Sequence, residues 1–205
     1  QGDKERAAAL YKQALPGLEK AADAGDFRAQ YSLGCMLFSG KGVAQDKGRA
    51  ATLFQSAAEA GDEHAAYMLG LMFQRGDGAP QSNAKAAEWL QKASEAGDPQ
   101  AQCALGMMYL KSVAAGQNLH EAAKWLLKSA ERGNPDAQYL MGTLLESGRL
   151  GSKDMSKALQ YYHRSALQGN EHAKRRLKDF VSEMREGLDL KPESVSTASD
   201  SAAAP

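Results

Sequence analysis

Three observations predict an all-α chain folded as a right-handed solenoid of helix-turn-helix units. They are a strict 36-residue period, Ala and Gly fixed at the same places in every period, and an aromatic content of only 7%. The period comes first, because a repeat sets the whole architecture. Four units, 26–61, 62–97, 98–133 and 134–169, overlay without a gap. Column four reads Ala29, Ala65, Ala101 and Ala137; column nine reads Gly34, Gly70, Gly106 and Gly142; column twenty-five reads Ala50, Ala86, Ala122 and Ala158. Small residues at fixed places let helices approach closely, with Leu33, Leu69, Leu105 and Met141 filling between them. Such helix pairs lack a core of their own and share one when stacked.

Each unit divides into two helices. Column one carries Asp26, Asp62, Asp98 or Asn134, all able to cap a helix, and Pro99 and Pro135 follow at the first helical position in two units. Helix A then shows apolar residues at helical spacing, as in Ala65, Leu69, Met72 and Phe73, until Gly76-Asp77-Gly78-Ala79-Pro80 ends it. Column twenty-one supplies Asp46, Ser82, Asn118 and Asp154 as caps for helix B. A closing Gly in the left-handed conformation leads straight into the next cap.

The ends differ from the array. Residues 1–25 read as an N-terminal helical cap, either a helical pair or one helix broken at Pro16-Gly17. Residues 170–187 start a fifth unit with Lys178 in place of the column-nine Gly, and Ala173, Leu177, Phe180, Val181 and Met184 make one apolar stripe, as expected of a capping helix. Residues 188–205 are Ser- and Ala-rich and read as a disordered tail. The first residues, Gln1-Gly2-Asp3-Lys4, have no Met and no apolar leader core, which suggests a processed or trimmed chain.

Composition excludes several classes. With 25 Lys plus Arg against 25 Asp plus Glu the net charge is zero, so nothing favours a nucleic-acid partner. No apolar run reaches the roughly 18 residues of a membrane span, and the mean hydropathy is −0.51.

A unit written Asp98-Pro99-Gln100-Ala101-Gln102, Leu105-Gly106-Met107-Met108-Tyr109, Ala122-Ala123-Lys124-Trp125-Leu126 and Ala130-Glu131-Arg132-Gly133 resembles the Sel-one-like repeat family, relatives of the tetratricopeptide repeats. The resemblance implies a non-enzymatic adaptor, since members scaffold protein complexes, ER-associated degradation, bacterial envelope and exopolysaccharide assembly, and host contact by pathogens. Location stays open, with the resemblance placing the periplasm or cell envelope ahead of the cytoplasm. Unit three departs from the pattern, having Ser112 and Ala114 where the A–B loop usually has Gly. A cysteine-rich branch joins helices A and B by disulfides, but Cys35 and Cys103 fall on A helices two units apart. Two steps of roughly 8–10 Å exceed the ~7 Å Cα limit of a bridge, so both are expected as free thiols.

Catalytic, metal and cofactor residues are all assigned as none. Arg75-Gly76-Asp77 spells an adhesion tripeptide, yet its Gly recurs in the loops of units one, two and four. His120-Glu121-Ala122-Ala123-Lys124 lacks the second His of a zinc helix, and Gly40-Lys41-Gly42 lacks phosphate-loop spacing. His64, His120, His163 and His172 fall in three columns and form no triad.

The expected site is instead the concave face of the A helices. By alignment with tetratricopeptide arrays it takes columns three, six, ten and thirteen: Arg28, Tyr31, Cys35, Phe38; His64, Tyr67, Leu71, Gln74; Gln100, Cys103, Met107, Leu110; Asp136, Tyr139, Thr143, Glu146. Two readings stand side by side. Tyr in column six is packing between adjacent A helices, or it lines a groove for a protein or peptide segment, with Arg28 and Asp136 charging its ends oppositely. The alternative occupant is a polysaccharide or peptidoglycan-type polymer, which would require Trp89 and Trp125 to stand exposed and aligned. The oligomeric state stays open. Removing residues 188–205 is expected to leave the far-UV circular dichroism and melting midpoint nearly unchanged, since the tail has little apolar area to bury.

Overall fold

The computed structural model describes residues 2–111 and 117–187. The unit-three loop at 112–116 and the tail at 188–205, both subjects of expectations above, lie outside the described residues. Ten helices and no strand are found among those described: α1 (Gly2–Asp23), α2 (Phe27–Ser39), α3 (Lys47–Glu59), α4 (Glu63–Arg75), α5 (Asn83–Ala96), α6 (Pro99–Lys111), α7 (Gln117–Glu131), α8 (Pro135–Ser147), α9 (Met155–Leu167) and α10 (Glu171–Gly187). Each packs on the next in sequence, giving an α-helical repeat solenoid.

The turns between units form as the sequence dictates. Asp62 accepts from the Ala65 amide at 2.7 Å, and Asp98 does the same for Ala101 at 2.6 Å. The amide just past each closing Gly reaches back to the previous helix, as in Asp98 N to Ala93 O at 3.0 Å, which completes a left-handed C-cap at Gly97 (φ 108°). Gln in column five adds a second tie, since Gln30, Gln102 and Gln138 donate to the carbonyls of Ala22, Ser94 and Ala130. Units three and four share a further device. Their column-two prolines offer carbonyls to the buried hydroxyls of Ser129 and Ser165, both at 2.6 Å.

Packing follows the invariant columns. The Ala residues of column twenty-five are fully buried, and Leu33, Leu69, Leu105 and Met141 are at most 5% exposed. Where the periodicity suggests backbone against backbone at column nine, the structure seats a helix-B side chain on each glycine. A Cβ at Gly34 would lie 2.8 Å from the Phe54 ring, at Gly70 2.8 Å from Leu90, at Gly106 2.7 Å from Leu126, and at Gly142 2.6 Å from the Tyr162 ring. All four fillers occupy column twenty-nine of the same unit.

Three local expectations are corrected. The helix α1 runs unbroken through Pro16-Gly17: Pro16 is exposed, so the carbonyl it leaves without a donor can be hydrated, while Leu15, Leu18, Ala21 and Ala22 hold the helix on the core. Asn118 stands inside the first turn of α7, which begins one residue earlier, at Gln117, so it is not the residue ahead of the helix. The apolar stripe of α10 is only partly covered. Ala173 is buried and Leu177 packs on the last cluster, but Val181 and Met184 are about half exposed, because no second helix lies on that face among the described residues.

Gly106→Val is expected to destabilise the fold by about 1–3 kcal/mol, the usual result of overpacking. The branched side chain would meet Leu126 and also the Ala122 carbonyl, 3.2 Å from a Cβ at this position. Thermal melts should show a drop of several degrees, with Glu131→Ala, on the exposed face of α7, unchanged.

Candidate partner-binding groove

The A helices α4, α6 and α8 lie side by side and enclose a cleft of about 460 Å³. Tyr67, Leu71 and Gln74 enter from α4, Gln100, Cys103 and Met107 from α6, and Asp136 from α8. A second cleft of about 530 Å³ lies further toward the N-terminus, where Tyr31, Cys35 and Phe38 of α2 face Leu18 and Tyr11 of α1 and Met68 of α4. Phe38, Met68, Leu71 and Arg75 also line a small hollow between the two, so the clefts form one groove.

The remaining residues of the expected face lie elsewhere. Arg28 is exposed over the Phe27 ring and lines neither cleft. Leu110, partly buried, packs against the cluster that includes Met141 and Leu144. Tyr139 stacks between Tyr162 and His172, with ring centroids 5.7 and 5.6 Å away. Thr143 returns its hydroxyl to the Leu140 carbonyl at 2.7 Å. Glu146 is held by structure: it accepts from Tyr162 Oη at 2.5 Å and from Arg176 Nε at 2.9 Å, and Arg176 also reaches Glu183. The Arg176 hydrogen bonds lower the Glu146 pKa and the cluster fastens α10 to α8 and α9.

His64 lines neither cleft but touches Tyr31, which does. Its Nδ1 lies 2.7 Å from Oδ2 of Asp98, which is 2% exposed and whose other oxygen caps α6, while its ring packs 6.1 Å from Tyr31. The same place two array-steps on is taken by Asp136, which accepts from Asn170 at 2.8 Å. In units two and four column three thus stitches the unit to the first residue of the next.

The thiols are poor nucleophiles. Burial pushes Cys103 up to about 12 and also raises Cys35, so both stay protonated at neutral pH. Both are free. Among the described residues no group of His, Cys, Asp and Glu could hold a metal ion, and no helix is long and apolar enough to cross a membrane. Asp77 of the adhesion-like tripeptide is tied to Lys47 at 2.6 Å.

Sequence reasoning missed Met68 in column seven and Arg75 and Lys111 in column fourteen. Columns three, seven, ten and fourteen are spaced by four, three and four residues, so the helical period itself places them on this face.

This geometry defines a tandem helical-repeat protein with a long lined groove and no assembled reactive centre among its described residues. Comparison with known proteins gives the family: the Sel1 repeat model matches residues 27–62, 63–98, 99–134 and 135–170, and the chain belongs to the Sel1 repeat family. The solved c5321, a protective antigen of uropathogenic Escherichia coli with an SLR fold, is 30% identical with a TM-score of 0.76, over 90% of this chain and 42% of that one. A Sel1 repeat protein from Oxalobacter formigenes is 35% identical with a TM-score of 0.74, over 82% and 49%. Immunity protein Pa5087 from Pseudomonas aeruginosa is 25% identical with a TM-score of 0.56, over 83% and 66%. The chain spans less than half the length of the first two. No curated protein matches it. Sel1 repeat proteins are generally protein-interaction scaffolds and typically not enzymes.

The hydrogen bond that His64 donates to Asp98, with smaller help from the charges of Glu63 and Asp62, raises the His64 pKa above its ordinary value near 6.5. A raised folded-state value means that the stabilisation is full below about pH 6.5 and fades as pH climbs through the raised value. His64→Gln should therefore melt below wild type at about pH 5.5 and converge with it at alkaline pH. Thermal scans across that range check the sign; the difference is small because the ring is 58% exposed.

Proposed function

We propose that this chain is a non-catalytic interaction module that binds an extended segment of a partner protein along the A-helix groove. The observation that carries this reading is the continuity of the two clefts across α1, α2, α4, α6 and α8. A surface that long, with half-buried Tyr31, Tyr67 and Leu71 and an exposed Met107, suits a peptide laid across the helices. The family's general role as a scaffold supports it.

The polymer-binding alternative needs an exposed ladder of aromatic rings. Trp125 is 5% exposed in the core and Trp89 is half-buried beneath Lys92, so these residues offer sugars no stacking platform. The peptide reading is the one supported by the groove's shape and lining.

Binding energy concentrates in desolvated centres, whereas rim charges chiefly change association rate and salt dependence. A Tyr67→Ala plus Met107→Ala variant that retains its helical circular dichroism should lose a partner recovered by wild-type pull-down. Arg28→Ala, outside both clefts, should leave capture nearly unchanged. Charge changes at Glu59, Glu95 and Glu131, exposed at the ends of helix B, serve as the control. Should those abolish capture while the groove variant binds normally, the site lies on the convex surface.

A further inference from the structure

The groove is chemically uneven along its length. Its N-terminal cleft is walled mainly by apolar groups, with Leu18, Tyr31, Phe38 and Met68 around the opening. Its central cleft is edged by two cations, Arg75 and Lys111, the last residues of α4 and α6. Both are exposed, and neither makes a hydrogen bond or ion pair among the described residues. Only units two and three place cations in column fourteen, since Ser39 and Ser147 stand there in the others. The nearby carboxylate of Asp77 is already engaged by Lys47. On the opposite edge of the same cleft lies Asp136, so an anionic group is drawn to one side and repelled from the other.

We infer that the partner segment carries a large apolar anchor for the cleft between α1 and α2, and an Asp or Glu side chain that meets Arg75 and Lys111. This deepens the groove reading and rests on it. The clefts are centred on α2 and α6, two A-helix steps apart, or roughly 16–20 Å at the usual axis spacing. An extended chain rises about 3.3 Å per residue, so anchor and acid are separated by about five or six residues. A side-chain carboxylate fits better than a chain terminus. The path runs across the helices, and the cations stand at the helix ends beside that path, where a side chain reaching sideways would find them.

The test is a selection of random peptides of about 12 residues, displayed on phage, against the full chain, followed by titration of fluorescein-labelled winners. The expected winners pair an aromatic or large aliphatic residue with Asp or Glu at the stated spacing. Replacing that acid by Asn or Gln in the peptide should weaken binding about tenfold and flatten its salt dependence. Arg75→Ala plus Lys111→Ala in the protein should do the same, and an Arg75→Glu plus Lys111→Glu variant should prefer a peptide with Lys in the acid's place. The peptide-side change keeps the test decisive even if a protein variant folds poorly. Winners that need Tyr67 and Met107 but ignore both the acid and the two cations overturn the inference and leave the groove reading standing. Winners indifferent to Tyr67→Ala plus Met107→Ala, or no winners at all, count against the groove reading and take this inference with it.

Discussion

The whole array hangs on an atom that is missing. At Gly34, Gly70, Gly106 and Gly142 the space a Cβ would take is held by the residue at column twenty-nine of the following helix. That contact sets how closely A and B approach, and every later distance in the solenoid inherits it. The filler changes shape freely, being Phe54, Leu90, Leu126 or Tyr162, while the glycine never changes. A side chain can be exchanged for another of similar volume, but a void at the backbone admits one residue type only. Each filler then makes its own demands. Tyr162 brings a hydroxyl into the core, Glu146 must accept from it, and Arg176 must balance Glu146, so one choice at column twenty-nine fixes how α10 docks.

Packing and recognition are not rival uses of column six. Tyr31 leans on Phe54 and on His64 of the next unit, yet also faces the N-terminal cleft. Tyr139 repeats the arrangement with Tyr162 and His172, but lines neither of the two clefts that build the groove. The same side chain is therefore structural at one end of the array and both structural and cleft-lining at the other. What differs is the surroundings: Glu146 and Arg176 are committed to holding α10, whereas α1 lends Leu18 and Tyr11 to a cleft.

Much of this was legible in the residues. The period, the capping residues and the small-residue columns are local or periodic signals, and local physics does not need tertiary context to be read. The course of α1 was not legible, because the effect of Pro16 depends on whether the carbonyl it frees faces water. The groove was legible in part. A face drawn through columns three, six, ten and thirteen captured Tyr67, Leu71 and Met107, but it also swept in Leu110, which packs against the cluster built from α6, α7 and α8. It passed over Arg75 and Lys111 because a charged residue at a helix end looks like ordinary termination until its neighbour one unit away is seen beside it.

Lys178 gives the array a direction of evolution. Elsewhere a column-nine glycine offers a seat to a second helix; on α10 that seat is taken by a long, charged side chain, and Val181 and Met184 face outward beside it. Duplicated units can be spliced in between existing ones, since each junction is the same Gly-then-cap turn and each unit presents the same two faces. They cannot be appended onto α10 without first replacing Lys178. Internal copying would leave α10 and its Glu146–Arg176 clasp in place while the groove lengthens by one A helix at a time.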